Sequence, residues 1–596
     1  MHSIVNRAFH FCTIKLLHVF VIVHPWIIAE KSGVGNLTDR LAEAIHVYPF
    51  LGYFSQDNTS TSPHLNSIHK PSSKKKWEYT MAEPAYITIS GRKWEQVTTL
   101  IPAEWRLDNK YIPRAMRLSP LESVHQLHEF EEEYPTNILD VPRECGILSA
   151  KEVRITEGHD VRGLLSEIVE KRLSAEEVAL AFCKQARNLD AHLTRTGKPI
   201  GPLHGLPISV KDSFNVTGVD SSLGVAALCS KPAFNDASLV QLLVSLGAII
   251  IAKTNIPQTL GLLDSVNHVF GRTLNPLNPK LTPGGSSGGE GVLVAMRGSM
   301  IGFGTDVGGS IRIPAMCNHI YGFKPSVGRV PYEGQTSFGL RGTSAIALKP
   351  VAGPIARSVA DIDFVMREIV ARAEGVANDC IPGQWPVSMQ REGRGSKKLR
   401  VGILRNDGLV TPLPPISKIL EEVSRILANS TVADIEVVDA PTPPIMKQCF
   451  VNAGRLMSVD GGVPMLDLIA STGEPLVPSL KGTKPRKPYT VEKLCALNAE
   501  REDIEVSMRK ALWLSGQVDA IVLPVAAHPV PRHDQYGCVS YTSAFNLLDY
   551  PAGTIPIRKM TEADLKLELS AGDKVLSKWD ADNKKLCMAL YSLMSR

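Results

Sequence analysis

Two adjacent serines, Ser286 and Ser287, stand among five glycines in LTPGGSSGGEG (281–291). A serine hydroxyl becomes a nucleophile only when a base activates it, and neither histidine nor lysine adjoins this pair. Three chemistries compete for the loop. A phosphate cradle needs G-x-x-x-x-G-K-[ST], and the lysine is missing. The dinucleotide form of that cradle needs a strand directly before the glycines, and LNPLNPKLTP (274–283) does not read as one. A nucleophile elbow, G-x-S-x-G, matches at 285–289 with Ser287 as nucleophile. It too needs a strand ahead of it and a histidine downstream. His319 and His533 are available, and each fits a structural role as well.

The third chemistry looks along the chain to GFGTDVGGSIRIPA (302–315). There Ser310 follows Val307, Gly308 and Gly309, so successive backbone N–H groups can point into one concavity and hold the oxyanion of acyl transfer. Upstream, GPLHGLPISVKDSF (201–214) puts Lys211 at the end of an apolar strand. Burial there disfavours the ammonium form, and a lysine base at neutral pH must fall from about 10.4 towards 7. The plainer alternatives are an ion pair between Lys211 and Asp212, and Ser310 as a helix cap. Asp306 and Arg312 read as supports of the nest, Thr305 as a support of the site, and Cys317 as packing.

These residues need a scaffold, and the hydrophobic pattern supplies one. SAKE (149–152) and SAEE (174–177) are capping-box starts. Between them Val161, Leu164, Leu165, Ile168 and Val169 make one helical face. Apolar strand runs then alternate with helices. LPISVK (206–211), AIIIAK (248–253), MIGFG (300–304), LRVGIL (399–404), IEVVD (435–439) and DAIVLP (519–524) are strands. Residues 236–246, 287–298 and 416–427 are helices. That alternation argues an α/β fold with a mostly parallel or mixed sheet. From Lys559 the chain turns charged and the strand signal ends.

The chain has 596 residues and a formal charge of +5, too small a balance to suggest nucleic acid as a partner. Its ten cysteines form no C-x-x-C pair, which argues against a zinc site or redox dithiol and for reduced cysteines in a cytoplasmic protein. The apolar stretch LLHVFVIVHPWIIA (16–29) reads either as a secretory h-region or as an extension outside the fold. It is too short and interrupted for a membrane span, and any membrane association rests on it alone. Residues 30–76 read as a linker. The sequons at Asn36, Asn58 and Asn429 carry weight only in a secreted protein.

Four motifs together, GPLHGLPISVKD (201–212), PGGSSGGEG (283–291), GTDVGGSIRIPA (304–315) and GFKPSVGRVP (322–331), resemble the amidase signature family of serine hydrolases. The 24-residue separation of Ser286 and Ser310 fits the family spacing. The resemblance implies one large domain, a mixed, twisted central sheet covered by helices on both faces. It implies a Ser-Ser-Lys triad with Ser310 as nucleophile, Lys211 as base and Ser286, after a cis peptide bond, as proton relay. Val307, Gly308, Gly309 and Ser310 would supply the oxyanion N–H groups. Gly284, Gly285, Ser287, Thr305, Asp306 and Arg312 would support the loops. No metal or cofactor is implied.

Beyond these motifs, KWEQVTTLIPAEWRL (93–107), STGEP (471–475), AAHPVPRHDQY (526–536) and AFNLLDYPAGTIPI (544–557) look like fungal acetamidase-type enzymes. That implies hydrolysis of a small monoamide such as acetamide to carboxylate and ammonia. The alternatives are an impaired amidase-like protein, or an enzyme for fatty-acid or other amides. A homodimer is left open. The expected division is an N-terminal extension (1–82), a catalytic domain (83–560) and a divergent C-terminal segment (561–596). Two stretches depart from the family pattern. The chain reaches GPLHG a helix and a strand early, and after TIPI an apolar strand is missing.

Overall fold

The computed structural model describes residues 18–23, 84–99, 119–125, 139, 141–144, 148–182, 198–339, 346–385, 398–431, 434–514, 518–567, 569 and 574–594. The linker expected at 30–76, the sequons at Asn36 and Asn58, and the shortened passage at 183–197 lie outside them.

In chain order the strands are β1 (His18–Val23), β2 (Pro207–Lys211), β3 (Ile249–Thr254), β4 (Val266–Asn267), β5 (Gly271–Arg272) and β6 (Ile301–Asp306). They continue with β7 (Tyr321–Lys324), β8 (Val351–Ala356), β9 (Leu399–Leu404), β10 (Ile435–Ala440), β11 (Ala520–Pro524) and β12 (Ala552–Pro556). β4 and β5 pair as a short ribbon, and the other ten form one sheet in the order β10-β9-β11-β1-β12-β7-β8-β6-β2-β3. The two ends are parallel, β10-β9-β11 and β6-β2-β3. The middle is antiparallel, so the sheet is mixed. The α/β class expected from the alternating pattern is the class observed.

Local sequence accounts for most elements. Every residue of β2, β6, β8 and β11 is buried, which suits their unbroken runs. Ser149 and Glu152 form a reciprocal capping box at the start of Ala150–Glu157. Ser174 and Glu177 do the same, with the Ser174 N–H reaching the Glu177 carboxylate at 3.0 Å and the Glu177 N–H reaching Ser174 Oγ at 2.9 Å. The helix Val161–Val169 buries Val161, Leu164, Leu165 and Ile168, but Val169 is 46% exposed. It lies at the edge of the stripe, one residue round from Ile168, so the expected face is narrower by that residue.

The two largest buried clusters among the described residues pack against the sheet. One joins Leu164, Ile168, Leu239 and Leu242 to Val210 and Phe303. The other joins Leu456, Met508, Tyr541 and Phe545 to Leu523. Each large aliphatic side chain buried this way contributes about 1.5–3 kcal/mol.

The N-terminal strand corrects the sequence reading. Residues 18–23 do not stand outside the fold: β1 runs antiparallel between β11 and β12, with Val21 opposite Val522 on one side and Gly553 on the other. An unbroken apolar run satisfies a buried strand as well as an h-region. β1 joins β10-β9-β11 to the rest of the sheet.

Candidate active site

Side chains alternate along a strand, so Ser209 and Lys211 share one face of β2. Lys211 is fully buried, and its Nζ lies 2.7 Å from Ser286 Oγ and 2.8 Å from Thr305 Oγ1. Burial pulls its ammonium down to about 7, against the charges of Asp306 and Glu290, which favour the protonated form. The strand-end alternative does not form: Asp212 pairs with Lys253 at 3.7 Å and accepts the Leu223 N–H at 2.7 Å.

The glycine loop brings Ser286 to this lysine. The Gly285–Ser286 peptide bond is cis. A Cβ on Gly285 would lie 2.4 Å from the Leu262 carbonyl, so only glycine lets the two backbones pass. Three of the loop's amides are already committed. Ser287 N–H donates to the Ser310 carbonyl at 3.2 Å, Gly288 N–H to Ser265 Oγ at 3.1 Å and Gly289 N–H to the Asn255 carbonyl at 3.1 Å. Ser287 is fully buried, its hydroxyl 3.4 Å from both the N–H and the carbonyl of Thr305, and no strand precedes it. The elbow reading therefore fails on access and on architecture. Gly284 adds support by accepting the Ser265 hydroxyl at 3.1 Å.

Ser310 sits just past β6, on the turn into the helix Arg312–Cys317. It is 8% exposed, and its hydroxyl makes no hydrogen bond among the described residues. The turn is built on Asp306. Its Oδ1 accepts the Gly309 N–H at 2.8 Å, Arg312 Nη2 at 2.9 Å and Asn546 Nδ2 at 2.9 Å. Its Oδ2 accepts Arg312 Nε at 2.8 Å and the Ile311 N–H at 3.2 Å. Burial raises this carboxyl, but the Arg312 charge and the hydrogen bonds of Arg312 and Asn546 outweigh it and hold it well below the usual range. Gly309 departs from its expected place in the nest, because its N–H is spent on Asp306. Among the described residues the N–H groups of Val307, Gly308 and Ser310 have no acceptor. Met457 borders this opening, its sulfur 3.7 Å from where a Gly308 Cβ would stand.

Known proteins match this chain in sequence and fold. A family model described as Amidase matches residues 166–575. The chain belongs to the amidase family. An acetamidase of Aspergillus oryzae is 34% identical over 455 residues, covering 71% of this chain and 82% of that protein. An acetamidase of Emericella nidulans is 33% identical over 481 residues, covering 75% and 85%. Among solved structures, a fatty acid amide hydrolase superposes with a TM-score of 0.69 at 27% identity, covering 83% of this chain and 88% of that one. This amidase is accordingly a hydrolase of amide C–N bonds. Among its described residues no helix is long and apolar enough to cross a membrane.

Several residues around the amidase site escaped the sequence reading. Asn546 ties the Asp306–Arg312 pair to the helix Ser540–Leu547, with Arg312 Nη2 2.5 Å from its Oδ1. Asp264 backs Gly285 and is held by Arg272 at 2.7 Å and His533 at 3.1 Å. His533 also meets the Pro279 carbonyl at 2.9 Å, which is the structural role open to it. Glu290, in the first turn of Gly288–Ala295, is fully buried. Only Glu290 left a local signal, an acid inside a stretch that otherwise reads as buried. Cys317 is buried and free, as packing requires.

Proposed function

We propose that this amidase hydrolyses small monoamides of the acetamide type through Lys211, Ser286 and Ser310. The observation that carries the reading is the contact between a fully buried Lys211 and Ser286, 2.7 Å, beside a loop that presents Ser310 and three unengaged N–H groups. Neutral Lys211 takes the proton of the Ser286 hydroxyl while Ser286 takes that of Ser310. Ser310 Oγ attacks the amide carbon, and the carbonyl oxygen becomes an oxyanion. The N–H groups of Val307, Gly308 and Ser310 face that charge, and losing one such donor typically costs about 3 kcal/mol of barrier. The relay then runs backwards: Ser286 protonates the leaving nitrogen and recovers its proton from Lys211. Water enters by the same base and releases the carboxylate.

Thr305 fixes the amine from the other side at 2.8 Å. Asp306, held by Arg312, takes the Gly309 N–H and so shapes the turn rather than reacting. The short acyl group rests on the two acetamidases among the relatives. A second reading, longer acyl amides, rests on the similarity to a fatty acid amide hydrolase.

Ammonia release from acetamide, butyramide and a long-chain primary amide separates these readings. The acetamide reading expects the highest kcat/KM for the shortest substrate, and loss of all three activities in Ser310→Ala. Activity rising steadily with chain length would transfer the assignment to fatty amides. No release by folded protein from any of the three would reject an active amidase of this kind.

A further inference from the structure

The STGEP stretch (471–475) has no part in the reaction as described, yet its acid grips a turn that holds the glycine loop. That turn runs from Gln258 to Val266 and is closed at its base, where the Gln258 N–H donates to the Val266 carbonyl at 2.8 Å. Ser265, beside the closure, fastens the glycine loop on both sides of Ser286. Its hydroxyl donates to the Gly284 carbonyl at 3.1 Å and accepts the Gly288 N–H at 3.1 Å. Asp264 passes so close to Gly285 that a Cβ there would stand 2.9 Å from its backbone nitrogen. The turn is not one the chain adopts freely. Thr259 and Leu260 are both left-handed, with φ of 75° and 59°, a region that residues with a Cβ avoid. Such a backbone persists only where its surroundings hold it. Gln258 and Glu474, both buried, supply the hold. Gln258 Nε2 donates to Glu474 Oε1 at 2.7 Å and to the Pro475 carbonyl at 3.0 Å, and its Oε1 accepts the Val477 N–H at 3.0 Å. The second oxygen of Glu474 accepts the Ala226 N–H at 2.8 Å. Every polar atom of the two side chains is engaged.

We propose that Glu474 and Gln258 are positioning residues for amide hydrolysis: they fix the 258–266 turn, and through Ser265 the turn fixes Ser286 against Lys211. The proposal rests on Ser286 acting as the proton relay. The relay has little tolerance, because it works across the 2.7 Å between Lys211 Nζ and Ser286 Oγ. A misplacement of about 1 Å, even one caused far from the chemistry, can cost about 100-fold in rate. Neither Glu474 nor Gln258 touches Lys211, Ser286 or Ser310, so they act through the turn and not on the reacting atoms. A pair that served stability alone would change the melting temperature and leave the rate of the folded protein where it was. A pair that sets Ser286 changes that rate.

The test is the rate of inactivation by a fluorophosphonate, resolved into kinact and KI on protein shown to be folded by circular dichroism. Glu474→Gln turns an amide donor towards either Gln258 Nε2 or the Ala226 N–H. Gln258→Glu sets a second carboxylate against Glu474 and the Pro475 carbonyl. Each should lower kinact by about tenfold or more and leave KI within about twofold. The double variant Gln258→Glu/Glu474→Gln restores one carboxylate–amide pair with its direction reversed, and it should recover most of the lost rate. Folded single variants that react at the wild-type kinact overturn the proposal, and so does a double variant no faster than the singles. Should the single variants not fold, Ser265→Ala serves instead. It cuts the two hydrogen bonds that join the turn to the glycine loop, so kinact should fall about tenfold, and an unchanged kinact overturns the idea. Ser286→Ala separates the underlying reading. If that variant is inactivated at the wild-type rate, Ser286 is not the relay, whatever Glu474 and Gln258 do.

Discussion

Arg312 grips Asp306 through two hydrogen bonds, Nε to Oδ2 at 2.8 Å and Nη2 to Oδ1 at 2.9 Å, and neither side chain reaches solvent. The pair is more than an ion pair, because Asp306 also holds the N–H groups of Gly309 and Ile311 on either side of Ser310. Breaking one partner out of a buried pair costs about 3–5 kcal/mol. Arg312→Met should therefore lower the melting temperature by several degrees and weaken the turn. Arg312→Lys keeps the charge but loses the planar fork. It should fold, with kcat reduced about tenfold or more and KM little changed, since the turn and not the acyl pocket is disturbed. Steady-state kinetics with both variants checks this, and an unaltered kcat in Arg312→Lys would count against it.

The Lys211 amine sets a pH window. Only the neutral form can accept a proton, so kcat/KM should fall about tenfold per unit below the lysine's pKa of about 7. Stability carries a matching signature. The folded pKa lies below the unfolded value of about 10.4, so between these two the unfolded chain binds more protons at this site and stability rises with pH. Lys211→Met should abolish activity and flatten that rise in melting temperature. An identical pH–stability slope in the variant would show that the buried lysine is not neutral.

Removing residues 1–24 tests the N-terminal strand. Without β1, β11 and β12 lose their shared partner in mid-sheet, five register pairs on each side. Two unpaired strand edges and an opened core follow. The truncated chain should express as insoluble protein or melt far below the full chain, by light scattering and circular dichroism. A truncated chain that folds and hydrolyses amides normally would remove β1 from the fold.

Met457 borders the turn that carries Ser310. It is 38% exposed and its sulfur stands over Gly308. Met457→Ala should raise kcat/KM for butyramide relative to acetamide, by about tenfold for the space of one or two methylenes. An unchanged ratio would place the acyl pocket elsewhere.

The parts legible in the sequence were those with local cause. Continuous apolar runs marked β2, β3, β6, β9, β10 and β11, and the two serine boxes marked their helix starts. β7 and β8 were passed over because YGFK and VAGPIA carry Gly and Pro, which read as breakers. β1 was misread because an apolar run does not say which partner covers it. In the site, Lys211, Ser286 and Ser310 were singled out by the resemblance of their motifs to the amidase signature, and the structure puts Lys211 against Ser286. Asn546 was not, since its contact with Asp306 joins residues 240 positions apart, and no local pattern encodes it. Gly309 shows the same limit from the other side. Its place in a run of amides was visible, but the carboxylate that claims its N–H was not.

The most direct test of the account is to label the protein with a fluorophosphonate and find the modified residue by peptide mass. The account predicts a single adduct on Ser310, formed at a rate that Lys211→Met and Ser286→Ala each lower by about 100-fold or more. An adduct on Ser287 or another residue, or labelling of Ser310 at full rate without Lys211, would contradict it.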